Sequence, residues 1–244
     1  MTVVNSQSGT RVDEIAPSIY RISTPVPPSQ MPGGFTFNQI LIDDDSPLLF
    51  HTGPRRMFPL VHEAVAHVLV DATRLRYVGL SHVEADECGS LNDWLAAAPR
   101  AEPVCGTVAA MVSIGDLADR PPVALADGAE LRLGARRVVW LDAPHLPHNW
   151  ECGYLVEATT RTLLCGDLFT HAGADVPPLT ESEVLGPSEA MRAMFGGVAI
   201  EKGTRALLDK LASTEPTTLA LMHGSSYRGD GAKLLRALAD ALGA

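Results

Sequence analysis

The sequence predicts an α+β protein of two packed β-sheets with helices on their outer faces. Strand-rich stretches at 11–51 and 122–166 are each followed by helical stretches, giving the order strands, helix pair, strands, helix pair. The helical stretches carry a single apolar stripe, which suits a helix lying on a sheet with its other side in water. With 244 residues, 46% of them hydrophobic, the chain can bury one substantial core. We therefore expect one domain over 1–244, with 1–10 as a polar, flexible start.

Residues 11–24 and 36–51 read as two hairpin-like strand pairs, the second turning at Asp43-Asp44-Asp45-Ser46-Pro47. The Pro- and Gly-rich loop from Pro25 to Gly34 lies between them, as a connector or as the rim of a pocket. Over 57–70, apolar side chains recur at Val61, Ala64, Val65, Val68 and Leu69, the spacing of one helix face. His62 and His67 fall off that face and read as solvated surface histidines. Leu75, Tyr77, Val78 and Leu80 form a short buried strand, and a helix near 89–98, a strand at 102–106 and a helix near 107–117 follow. Strands return over 122–141 and 151–166, then helices at about 188–196 and 203–213. A strand at 217–222 leads to a last helix with Leu234, Leu235, Leu238 and Leu242 on one face.

Composition excludes several function classes. The formal charge is −10, and no cluster of Lys and Arg is interleaved with aromatics, so a nucleic-acid partner is not expected. No run approaches the ~20 apolar residues of a membrane span, and 1–11 lacks an apolar signal core. We expect a soluble, cytoplasmic protein with no membrane partner. Cys88, Cys105, Cys152 and Cys165 form no Cys-x-x-Cys pair, which favours reduced, mostly buried thiols.

The chemistry concentrates in Ser81-His82-Val83-Glu84-Ala85-Asp86-Glu87-Cys88-Gly89. On an extended chain, positions 82, 84 and 86 share one face at steps of roughly 6.6 Å, whereas a helix would turn Glu84 away from the other two. The spacing thus calls for a strand end or loop, where several side chains can bend toward one point. A solvated acidic loop with one histidine is the competing reading. Three further ligand-type residues follow apolar strands: His148 in Ala143-Pro144-His145-Leu146-Pro147-His148, Asp167 after Leu164-Cys165-Gly166, and His223 after Leu221-Met222. Four strand ends carrying such groups favour a shared metal site. Cys88 adjoins it, either supporting a ligand or packing as a small side chain.

These residues resemble the flavodiiron proteins and oxygen-binding diiron proteins of the metallo-β-lactamase superfamily. That family's His-x-Glu-x-Asp-His loop is similar to His82-Val83-Glu84-Ala85-Asp86-Glu87, with Gly89-Ser90-Leu91 after it, and its later His, Asp and His are similar to His148, Asp167 and His223. Gly34-Phe35-Thr36-Phe37-Asn38 resembles its early Gly-Thr-Thr-Tyr-Asn segment. The resemblance covers about 11–240 and implies a four-layer αββα sandwich, the metallo-β-lactamase fold, with two iron ions at one edge. It implies His82, Glu84 and His148 on one metal, Asp86 and His223 on the other, and Asp167 bridging them. His145 is the rival of His148, whose separation from Asp167 fits the family.

Three positions depart from the pattern or extend it. Glu87 stands where the family loop has a second His, and is read as an anionic ligand, an outer hydrogen-bond acceptor or a group turned away. His51 replaces the Asp that many superfamily members carry before Thr-Gly, and either orients a ligand or simply ends its strand. His171 lies in the Gly- and Pro-rich stretch 171–187, which would cap the pocket, and is the candidate catalytic proton donor or gate.

Zinc hydrolases of the superfamily carry His-x-His-x-Asp-His, so Glu84 replaces a neutral imidazole with an anion. The added charge favours a more oxidised metal, and points to iron or manganese over zinc, although zinc also accepts carboxylates. We expect a diiron protein that binds or reduces O2, or NO, as sensor or oxidoreductase. The resembling enzymes continue into an FMN-bearing flavodoxin domain; no FMN is expected in this chain, so electrons would come from a separate redox partner. The alternative is a dinuclear zinc metallohydrolase, and a third reading is a binding module reduced to one metal. Resemblance also implies a homodimer.

Overall fold

The computed structural model describes residues 2–244. The first sheet takes β1 (Thr2–Asn5), β2 (Thr10–Ala16), β3 (Ile19–Val26), β4 (Phe35–Ile42), β5 (Leu48–Phe50), β6 (Tyr77–Gly79), β7 (Glu102–Gly106) and β8 (Val123–Leu125), side by side in chain order. The second is built from β9 (Glu130–Arg132), β10 (Arg137–Asp142), β11 (Gly153–Glu157), β12 (Thr162–Leu164), β13 (Leu179–Thr180), β14 (Thr218–Ala220) and β15 (Ser226–Arg228), in the spatial order β13-β15-β14-β12-β11-β10-β9. Helices α1 (Phe58–Leu69), α2 (Ala85–Cys88), α3 (Leu91–Ala97), α4 (Thr107–Ala109) and α5 (Gly115–Leu117) belong to the first half; α6 (Leu185–Phe195), α7 (Thr204–Ala212) and α8 (Gly231–Ala241) belong to the second.

Strand alternation sorts the core into three layers. In β4 and β5, Ile40, Ile42, Leu48 and Phe50 pack toward the second sheet with Trp140, Leu155 and Leu164, while Leu41 and Leu49 point the other way, against Val61, Val65 and Trp94 of α1 and α3. On the far side, Val156, Leu163 and Leu219 pack against Leu208, Leu211, Leu235 and Leu238 of α7 and α8. Strands buried on both faces read as continuous apolar runs. The layers are αββα, as expected, and the α1 and α8 stripes face inward.

Two expectations change. The start is no flexible tail: β1 pairs antiparallel with β2, Val3 opposite Arg11, and the β-branched run Thr2-Val3-Val4 suits an edge strand. The helix expected over 107–117 is broken by a π-helical turn at Ala110–Ile114 between α4 and α5.

One edge gathers the strand ends that matter. β12 and β14 are parallel neighbours, Leu163 opposite Leu219 and Leu164 opposite Ala220. Each runs out at the same level, so Asp167 and His223 emerge side by side, three residues beyond the two ends. In the first sheet β6 stops at Gly79, three residues before His82. Ligand-bearing loops at the carboxyl ends of parallel strands are where open α/β sheets place their chemistry.

Candidate metal centre

The acidic motif is only partly extended. Glu84 has extended backbone, and Asp86 and Glu87 fall in the single turn of α2. The turn separates Glu84 from Asp86, two carboxylates that a straight strand would have aligned on one face. It drives Glu87 inward, where it is fully buried, and leaves Glu84 exposed and Asp86 half-buried.

Two groups of donors result. In the first, His82 Nε2 lies 3.2 Å from Glu84 Oε2, 3.1 Å from His148 Nε2 and 3.5 Å from Asp167 Oδ2, and His148 Nε2 is 3.0 Å from Glu84 Oε2. In the second, His223 Nε2 is 3.3 Å from both Asp86 Oδ2 and Asp167 Oδ1. The two oxygens of Asp167 thus face different groups. Glu87 Oε1 stands 3.7 Å from His82 Nε2. Donors about 2.1 Å from one shared ion sit roughly 3.0–3.5 Å apart, which is the spacing here.

Hydrogen bonds behind the rings fix which nitrogen faces the site. His148 Nδ1–H donates to the Gly197 carbonyl (2.9 Å), and His223 Nδ1–H donates to Thr36 O (2.8 Å). Ser81 bridges His82 to His51: its Oγ lies 2.9 Å from His82 Nδ1 and 2.8 Å from His51 Nε2. The Ser81 N–H also points at that His51 nitrogen (3.4 Å), making it the acceptor, so the hydroxyl donates to His51 and accepts from His82 Nδ1–H. Burial pushes His51 down to about 3 and keeps it neutral. His51, at the end of β5 with φ of 66°, is therefore both a strand terminator and an orienting group.

Three imidazoles and four carboxylates converge, with the Glu87 oxygens buried beside Asp167 and Asp86 and Asp167 Oδ1 buried against His223. Such atoms cost free energy unless a cation satisfies them. Burial and the neighbouring Asp167 and Asp86 push Glu87 up to about 12. Burial would lower His223, but Asp167 and Asp86 overcome it and hold the ring at about 9. Burial of Asp167 is likewise outweighed, by His223 first, and its carboxyl stays well below the usual range. Protons occupy positions that suit metal ions, and the residues present fit a dinuclear centre.

Neighbouring loops brace the ligands. The Val83 N–H donates to Glu151 Oε1 and the Val83 carbonyl accepts from Asn149 Nδ2, both at 3.2 Å, so the loop carrying His148 grips the peptide between His82 and Glu84. The His223 loop is held by the first sheet: Asn38 Nδ2 donates to Leu221 O and Gly224 O at 3.0 Å, and buried Arg21 donates to Gly224 O at 2.9 Å. Gly224 has φ of 88°, and a Cβ there would sit 2.3 Å from His171 Nε2. These supports went unnoticed in the sequence except for the Gly34–Asn38 segment, because their partners lie far away in the chain.

Several sequence expectations need correction. His171 is no free proton donor: its Nδ1–H donates to Phe169 O and its Nε2 accepts from the Ser225 N–H, both at 2.9 Å, so the ring latches the His223 loop. Stretch 171–187 does not cap the pocket; α6 and the Gly196–Val198 segment after it form that wall. His62 is half-buried between Phe58 and Trp94, with ring centroids 5.4 and 5.7 Å away, and is no surface residue. Of the two rivals, His145 is exposed and His148 joins the cluster. Cys88 donates to the Glu84 carbonyl at 3.0 Å.

Layered sheets with a donor cluster at one edge define the metallo-β-lactamase fold with a candidate metal centre. The chain belongs to the ODP family of beta lactamases, whose family profile, described as "ODP family beta lactamase", matches residues 35–224. No curated protein matches it. Solved structures similar in fold include the rubredoxin oxygen:oxidoreductase of Desulfovibrio gigas, at 18% identity and TM-score 0.76, covering 94% of this chain and 62% of that one. A mutant flavo di-iron protein of Thermotoga maritima gives 17% and 0.82, covering 96% and 62%. A fragment of a putative diflavin flavoprotein of Nostoc gives 20% and 0.79, covering 96% and 95%. The chain spans about three fifths of the length of the first two.

Proposed function

We propose that the protein is a dinuclear non-haem iron protein that binds or reduces O2, or NO, with electrons delivered by a separate donor. One observation carries the reading. Four carboxylates, Glu84, Asp86, Glu87 and Asp167, surround only three imidazoles, with Asp167 presenting one oxygen to each donor group. In this reading His82, Glu84 and His148 hold one ion, Asp86, His223 and Glu87 hold the other, and Asp167 bridges. Bound iron would supply electrons at two adjacent centres, and anionic oxygen donors favour the cycle between its two common oxidation states.

The chain's own residues do the rest. Thr36, Gly197 and the His51–Ser81 pair hold three imidazoles with Nε2 aimed inward, so no ring must turn when an ion enters. Phe35 stacks on His223 at 4.3 Å and limits water on that side. A homodimer accompanies the reading.

Element-resolved metal content of protein purified without added metal tests this. About two irons per chain, with a visible absorption band appearing when the reduced protein meets O2, is expected. Zinc in both positions together with turnover of an ester, lactone or phosphodiester would instead make the protein a hydrolase.

A further inference from the structure

Above the donor cluster lies a cavity of about 340 Å³. At ~30 Å³ for each water, it has room for about eleven water-sized units, whereas a diatomic gas fills one or two. Its walls are mainly apolar and ring-bearing: Phe35, Phe37, Phe169 and Phe195, with Met31 and Met191. Its floor carries Glu84, Asp86, His148, Asp167 and His223. A cavity of this size with a few convergent polar groups is typical of sites for organic molecules.

Charge narrows the class of ligand. Glu189 and Arg192 are the charged groups of the α6 wall, and they neutralise one another in a two-pronged pair, Arg192 Nε lying 3.0 and 3.1 Å from the Glu189 oxygens. Four carboxylates on or beside the floor would balance two divalent ions. No fixed charge is left over to reward an ionic ligand, and desolvating one would cost free energy. Flat rings gain most from aromatic walls through stacked and edge-on contacts.

We propose that this cavity binds an uncharged, flat organic molecule of about two fused rings, seated between α6 and the metal centre. This inference rests on the metal reading only for its charge balance, and the size and walls stand without it. The ligand enters past Phe195, which is 59% exposed, and Met191 forms the inner wall.

The test is calorimetric titration of the metal-quantified protein, kept anaerobic, with 2-naphthol as the uncharged probe and naphthalene-2-sulfonate as its anionic counterpart. Saturable binding of 2-naphthol at one per chain, with the sulfonate at least tenfold weaker, is expected. Met191→Trp, which fills the inner wall, should weaken 2-naphthol at least tenfold with circular dichroism and metal content unchanged. Phe195→Ala, an exposed position that cannot threaten folding, should weaken it severalfold. No saturable binding, equal binding of the two probes, or affinity untouched by both variants overturns the proposal. Repeating the titration on zinc-loaded protein separates the two readings: binding retained there supports the cavity even if iron is refuted.

Discussion

Glu84 and Glu87 differ in what they give up to sit where they do. Glu84 is half-open to water, and its carboxyl is held down by the His82 and His148 rings, so it remains an anion without any metal. Replacing it by Glu84→His restores a neutral donor. We expect iron retention to fall relative to zinc, read as atoms per chain after loading with an equimolar mixture; unchanged selectivity would remove the charge argument. Glu87 is fully buried beside the Asp167 and Asp86 carboxylates. Glu87→Leu should stabilise the metal-free protein by roughly 1–3 kcal/mol, seen in denaturant unfolding, and lower bound metal from two ions toward one. A group that costs stability and is needed for loading is the mark of a functional position.

At the scale of elements, the coupling between two loops through the Val83 peptide is the most exposed to test. Glu151→Ala removes the acceptor for the Val83 N–H and should cost about 1–2 kcal/mol, while increasing metal loss to a chelator. Glu151→Gln keeps an acceptor oxygen and should behave almost as the parent. Equal loss in both variants would mean that Glu151 acts through its charge. What the sequence revealed follows the same division. Periodicity exposed α1 and α8 because burial on one face leaves its stripe in the residues themselves, and the ligand-type residues were visible because each follows an apolar strand. The turn at α2 was not, since four residues carry no measurable period. Nor was the role of His171, whose partners, Phe169 O and Ser225 N, are backbone atoms that no side-chain motif announces. The wall made by α6 was legible as a helix but not as a wall, because its direction depends on the segment 171–184 that delivers it.

For the whole molecule, the proton and the metal compete for the same places. In the metal-free protein His223 is held at about 9 against 6.5 in an unfolded chain, so its contribution is complete below pH 6.5 and is lost as pH rises through about 9. Glu87, pushed up to about 12, works in the same direction, since the unfolded chain releases that proton near 4.5. Thermal unfolding in chelator should therefore show a falling midpoint between pH 6.5 and 9.5, whereas metal affinity, which requires those protons to leave, should rise. A midpoint in chelator that does not fall over this interval would contradict the assigned partners of His223.

His82 and Glu84 hang from one sheet, and His148, Asp167 and His223 hang from the other. Ions held among them would fasten the two slabs along one margin, as a buckle does, while the opposite margin is already tied by Asp44, which accepts from the Ala135 and Arg136 N–H groups, and by the Ser46 N–H, which donates to Leu133 O. Chelation should then unzip the molecule from a single side. Amide exchange would quicken first around 144–150 and 195–200 and leave the strands at the far margin slow, so that a limited protease cuts the stripped chain at one loop before the rest has opened.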